Sequence, residues 1–367
     1  MATTNSKSLS YVSNVHEFLQ SEIYFDQTVH DEDNGLILPH IEDFAPSLSD
    51  ADVLANLTAI YRSHSTSLIE CIRFMKLKQF FHLISTFQGS LTAPVHKLFT
   101  DPCMARWVYQ SDWETYKHIL RLLSPLSSEA APTSVLVALR HLADILPKTI
   151  QDNFNNVPFK ILEAKLKPVK VFCNLIDRLL RVNEAAHAAG RILSHKPDRD
   201  LMRDDWKKYV KPQPIVEREL ACGSPLAKTI LEVEIRELLN ESTVAGDETT
   251  LEKWTKFLTR LPSRFPGVSA RAFLYSMGAV ESAALRDMTM NGGDSFGGWW
   301  VVRCWVDEFL RWQAERGGFM QHVDNTVRFN KLNSSSSSDD GNIIDDSGVS
   351  LHDHDNHLSN SGNVEMV

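Results

Sequence analysis

From Ser49 to Glu315 the apolar side chains return at steps of three and four, and nowhere do they sustain a two-residue alternation. A helix repeats every 3.6 residues and a half-buried strand every two, so this single regularity excludes a sheet and predicts an all-α fold. Ser49 and Asp52 read as a helix cap, followed by one face through Val53, Leu57, Ile60, His64, Leu68, Cys71 and Met75. That face is expected to continue through Phe80, Ile84 and Phe87 up to Gly89. Val135, Leu139, Leu142 and Leu146 repeat the pattern between Pro132 and Pro147. Leu162, Leu166, Val169, Phe172, Ile176 and Leu179 form a longer face that ends at His195-Lys196-Pro197, and Pro168 is expected to kink or divide it. Lys211–Pro214 is a further break. Thr249 with Glu252 caps a helix carrying Leu251, Trp254, Leu258 and Leu261. Ser269 opens another, running to Met290, and a last one is expected from about Ser295 to Glu315, closed by Gly317-Gly318. No repeat of fixed length is present, so the expected body is an irregular multi-helix one rather than a solenoid.

Charge narrows the function classes. After Asn330 there are seven acids against one base, so −6 of the net charge of −9 lies in the terminal stretch and the preceding residues are nearly balanced. Binding to a phosphate backbone needs a concentrated basic face, which the balanced part does not offer. The terminal stretch, rich in Ser and Asp and poor in apolar groups, is expected to be a disordered acidic tail over residues 331–367. No apolar run is long enough to span a bilayer, and the first residues lack the pattern of a secretion signal. Cys71, Cys103, Cys173, Cys222 and Cys304 are widely spaced and odd in number, which points to reduced, mostly buried thiols.

Catalytic patterns are scarce. Gly-Gly-Asp-Ser-Phe-Gly-Gly at 292–298 resembles the loop around a serine nucleophile. Phe296 stands where that loop needs glycine, however, and no histidine segment of the required kind accompanies it. A glycine-rich turn with Ser295 as helix cap is the better reading. His352–His357 alternates imidazoles and carboxylates, but in an acidic tail this is a solvated stretch rather than a metal site. Lys207, Lys208 and Lys211 are interleaved with Asp204 and Asp205 and read as a solvated helix end before an import signal. No cofactor, metal or enzymatic activity is expected.

The strongest signal is the run Trp299, Trp300, Trp305 and Trp312. Trp299, Val302, Trp305 or Val306, and Phe309 share one helical face, while Trp300, Cys304 and Trp312 add another. A helix apolar around most of its girth belongs to a core, or is shared between a core and a partner, and the residue pattern leaves both open.

Arg286–Trp312 as a whole resembles the dimerisation segment of the RFX family of transcription factors, in the form of its fungal branch. Arg286, Asp287, Met288 and Thr289 match its R-D-[LM]-T, Ser295, Phe296 and Gly297 its S-F-G, and Asp307 and Glu308 its closing D-E. Residues 107–128, 146–193 (with Asn156, Pro158, Leu162 and Lys165) and 250–258 are similar to further segments of the family, so the resemblance covers about 45–320. It implies a nuclear transcription regulator that forms a homodimer, or a heterodimer with a full-length RFX-type protein. Phe296, Trp299, Trp300, Trp305 and Phe309 would form its two-fold interface, with Arg286, Asp287, Asp307 and Glu308 fixing helix register. The chain would divide into an N-terminal linker (1–45), a helical regulatory region (46–245), a helical dimerisation region (246–330) and the tail. Family members carry a basic winged-helix DNA-binding domain upstream, for which residues 1–45 are neither long nor basic enough. DNA would therefore be reached only through an upstream domain or a partner. A non-transcriptional helical scaffold is the competing expectation.

Overall fold

The computed structural model describes residues 23–25, 35–128, 131–220, 224–240 and 249–322, and the acidic terminal stretch with its His352–His357 run lies outside them. Among the described residues every regular element is helical. The first, α1 (Ala51–Arg73), starts one residue later than the sequence suggests. Its cap is Asp50, whose carboxylate accepts the Asp52 amide at 2.9 Å. The buried face is shifted likewise, centring on Leu57, Tyr61, Leu68 and Ile72.

α1 does not run on to Phe87. Met75 adopts a left-handed backbone, φ 51°, and the Lys76 amide returns to the Cys71 carbonyl at 2.7 Å, which closes the helix. After this turn α2 (Leu77–Thr86) sends Phe80 and Ile84 back into the same core, with Phe87 just beyond it. A short helix, α3 (Ala93–Phe99), and the 19-residue α4 (Ala105–Leu123) complete the N-terminal layer.

Pro147, expected to bound a helix, lies inside one, and Pro168 does not divide its helix. α5 (Thr133–Asn153) passes through Pro147, and α6 (Phe159–Ser194) passes undivided through Pro168. Proline removes one donor and crowds the carbonyl four residues back. In both cases that residue is a buried alanine, Ala143 and Ala164, and the next turn is held by buried Leu146 and Ile150 or Val169 and Phe172. Burial of the apolar face outweighs the missing hydrogen bond. At 36 residues α6 is about 54 Å long, and α4, α5, α7, α11 and α13 all pack against it.

α7 (Lys196–Tyr209) and α8 (Pro212–Glu219) begin at the expected breaks, with proline in their first turns. α9 (Pro225–Thr229) leads through a π-helical turn at Ile230–Glu234 into α10 (Ile235–Leu238). α11 (Thr250–Arg260) carries the expected reciprocal cap. The Glu252 amide donates to Thr249 Oγ at 3.2 Å, and the Thr249 amide donates to the Glu252 carboxylate at 2.6 Å. α12 (Ala270–Met290) starts after Ser269, as the sequence predicts. α13 (Phe296–Gln321) continues through Gly317-Gly318 because Phe319 beyond them is anchored: its ring stacks on Trp113, whose indole N–H donates to the Phe319 carbonyl at 3.0 Å.

One apolar core draws on every helix from α1 to α13, so residues on both sides of position 245 share it. A charged group lies inside the N-terminal half of that core. Lys165 on α6 places its ammonium 2.9 Å from one oxygen of Asp112 and 3.2 Å from the other. The Tyr61 hydroxyl is 2.9 Å from the same ammonium and donates to Asp112. Beside it the His64 imidazole is held down at about 3, by burial first and the Lys165 charge second.

No described helix is long and apolar enough to cross a membrane. No group of three metal-ligating side chains occurs among the described residues. Of the cysteines there, Cys71 and Cys173 are buried free thiols, whereas Cys103 and Cys304 are exposed.

Candidate dimerisation surface

The Gly-Gly-Asp-Ser turn joins α12 to α13 and is clamped on both sides. Gly292 has φ +76°, a conformation that glycine adopts without strain, and the Gly293 amide donates to the Met288 carbonyl at 2.9 Å. The Ser295 amide donates to the buried carboxylate of Asp205 on α7 at 2.8 Å. A Cβ on Gly293 would stand 2.5 Å from Met288 Cγ and 3.3 Å from that carboxylate, so no larger residue fits the turn as built. Ser295 precedes α13, but its hydroxyl makes no cap bond. It lies buried against the Met288 sulfur at 3.6 Å, a packing position rather than one poised to attack a substrate.

The turn sets the rotation of α13 and so decides which tryptophans face inward. Trp299 is buried against Trp206, with ring centres 4.4 Å apart, and its indole N–H donates to the Met202 carbonyl at 3.1 Å. Trp305, Phe309 and Trp312 are buried almost completely. The expected interface residues Trp299, Trp305 and Phe309 are therefore covered by the chain's own core, because their side of α13 packs on α6, α7 and α11.

Phe296 and Trp300 point the other way. They are 38% and 47% exposed, and their rings lie 24° from parallel with centres 6.1 Å apart. The Arg303 guanidinium sits 5.3 Å from the Trp300 ring, a cation–π arrangement. With Leu285, Arg286, Thr289 and Met290 at the end of α12 they line a shallow groove of about 280 Å³. Met290 is 80% exposed at its rim. Neither Met290 nor Arg303 stands out in the sequence, although Arg303 falls one helical turn after Trp300.

Three of the four charged positions pair within the chain. Arg286 reaches Glu219 on α8 at 3.1 Å. Glu308 meets Arg178 on α6 at 2.8 Å, and the same guanidinium holds Glu315 at 2.7 Å. Asp307 lies 3.7 Å from Arg303. Asp287 makes no ion pair among the described residues, and its carbonyl accepts the Asn291 amide at 3.2 Å. Arg286 thus ties α12 to α8, and Glu308 ties α13 to α6. Burial, and then the neighbouring Asp307, push Glu281 well above the usual carboxylate range, and burial raises Asp307 as well.

The sequence profile of the RFX BCD domain matches residues 57–317, a span that holds α13 almost to its end and nearly all of the core beneath it. The chain belongs to the RFX family. This RFX chain is 38% identical over 287 residues to protein sak1 of Schizosaccharomyces pombe, covering 72% of the chain and 38% of that relative. It is 34% identical over 319 residues to transcriptional regulator RFX1 of Candida albicans, covering 85% of the chain and 37% of the relative. Transcription factor RFX3 of Mus musculus is 21% identical over 299 residues, covering 71% and 39%. The RFX chain thus spans well under half the length of these relatives. No solved structure matches it.

Proposed function

We propose that this RFX chain is a nuclear regulator of transcription, without catalytic activity, that dimerises through the outer face of α12 and α13. The observation that carries the reading is the exposed Phe296–Trp300 stack beside Met290, on the segment that bears the family pattern. Large aromatics shed about 150–250 Å² each when covered, and such groups anchor interfaces. A two-fold pairing would lay each stack against the Met290 groove of the other copy. Residues 246–330 would serve dimerisation and 46–245 regulation, on one shared core. The partner is a second copy or a longer RFX-type protein, and contact with DNA comes from a domain outside residues 57–317 or from that partner.

Light scattering of the purified chain across concentrations tests this. A dimer is expected, and Trp300→Ala should weaken it at least about thirtyfold, as loss of an anchor worth about 2 kcal/mol requires. Phe296→Ala should act in the same direction. A monomer at high concentration, or a dimer indifferent to both changes, would overturn the assignment. Accumulation outside the nucleus in the source cells would overturn the location.

A further inference from the structure

The core is not filled everywhere. In the C-terminal half lies a partly open cavity of about 590 Å³, with lining drawn from every helix from α7 to α13. Protein interiors leave few voids larger than a water molecule, whereas ligand sites span roughly 300–1,000 Å³. The lining is almost wholly apolar, including Trp206, Leu231, Trp254, Phe273, Val280 and Val306. Ile230 and Leu231 belong to the π-helical turn, an irregularity that often accompanies functional sites.

Trp254, which lines the cavity, has an indole N–H buried without a hydrogen-bond partner, whereas the Arg303 Nε and one oxygen of Glu281 face each other at 3.7 Å. Trp254 is only 3% exposed. Buried polar groups are paired in more than about nine cases of ten, and each orphan costs about 1–3 kcal/mol. Trp254 packs on Trp299, whose ring also lines the cavity. A hydroxyl oxygen would accept from the Trp254 N–H. A carboxylate head suits the place poorly, because Glu281 and Asp307 already stand 3.7 Å from the Arg303 Nε.

We propose that this cavity binds a neutral, mostly apolar small molecule bearing a hydroxyl group, a lipid-sized alcohol. The site shares Leu285 and Arg303 with the outer groove, but it stands whether or not that groove joins two copies.

Trp206, Trp254 and Trp299 line the cavity, so intrinsic fluorescence reports its filling directly. The full chain would be titrated with hexadecan-1-ol, with cholesterol and, as the charged comparison, with palmitate, and stoichiometry read by native mass spectrometry. Saturable one-to-one binding of at least one alcohol is expected, about tenfold or more tighter than palmitate. Ala227→Phe and Ser276→Phe fill the space and should each weaken binding about tenfold or more with helical circular dichroism unchanged. Trp254→Phe keeps the ring but removes the donor, and should weaken it about three- to tenfold. Where the filling variants fold poorly, the Trp254→Phe comparison alone decides. Binding of neither alcohol, tighter binding of palmitate, or affinity untouched by the folded variants would each overturn the proposal.

Discussion

Replacing Lys165 by methionine keeps the length and most of the packing of the side chain while deleting its charge. The structure says what is left behind. Asp112 loses an ammonium that touches both its oxygens, at 2.9 and 3.2 Å, in a place where the two side chains are only 6% and 10% exposed. The rings of Tyr61, Phe87 and Phe154, which lie 5.2, 5.9 and 4.9 Å from the ammonium, then face a lone carboxylate. Breaking a buried pair from one side costs about 3–5 kcal/mol. At roughly 2–4 °C per kcal/mol for a domain of this size, the melting temperature should fall by about 6–20 °C. Thermal and urea unfolding followed by circular dichroism would measure it. Adding Asp112→Leu should recover most of the loss and leave about 1–3 kcal/mol for the unpaired Tyr61 hydroxyl. A single variant that loses less than about 1 kcal/mol, or a double variant no better than the single, would refute the view that the pair is an interdependent unit.

Other expectations are simpler to state. His64 is held at about 3, against 6.5 for an unhindered imidazole. The unfolded chain therefore binds a proton there first, and stability should drain as pH falls from 6.5 toward 3; in His64→Phe this contribution disappears, so the urea midpoints at pH 7 and 4.5 should lie closer together than in the parent. Gly293→Ala must displace the buried Met288 or the Asp205 carboxylate and should cost about 1–3 kcal/mol, read as a lower melting temperature. Thr249→Ala removes one half of the α11 cap and should cost about 1 kcal/mol by the same measurement; an unchanged midpoint would mean that packing on α6 alone holds that helix.

What could be read from the sequence and what could not follow a physical division. Ser269 and the Thr249–Glu252 box mark their helices correctly because a cap joins groups only three residues apart. Pro147 and Gly317-Gly318 mislead because the local penalty is set against burial supplied by distant helices, which no short window contains. The tryptophan run shows the same limit at the candidate interface. Spacing groups Trp299, Trp305 and Phe309 and sets Trp300 apart, but distant contacts, such as the Trp299 N–H reaching the Met202 carbonyl 97 residues away, show which group faces inward. The Lys165–Asp112 pair is separated by 53 residues, and neither residue signals the other. The family pattern named Lys165 without giving its reason; the buried pair supplies one.

The amide of Tyr24 donates to the carbonyl of Ala314 at 3.0 Å, while His322, just past the end of α13, stacks on Trp113 with ring centres 4.1 Å apart. Measured along the helix, Ala314 and His322 are only about 12 Å apart. The last turns of α13 are thus fastened from two distant parts of the chain, by Tyr24 at Ala314 and by Trp113 at Phe319 and His322, and fraying of that helix end should require both fastenings to open.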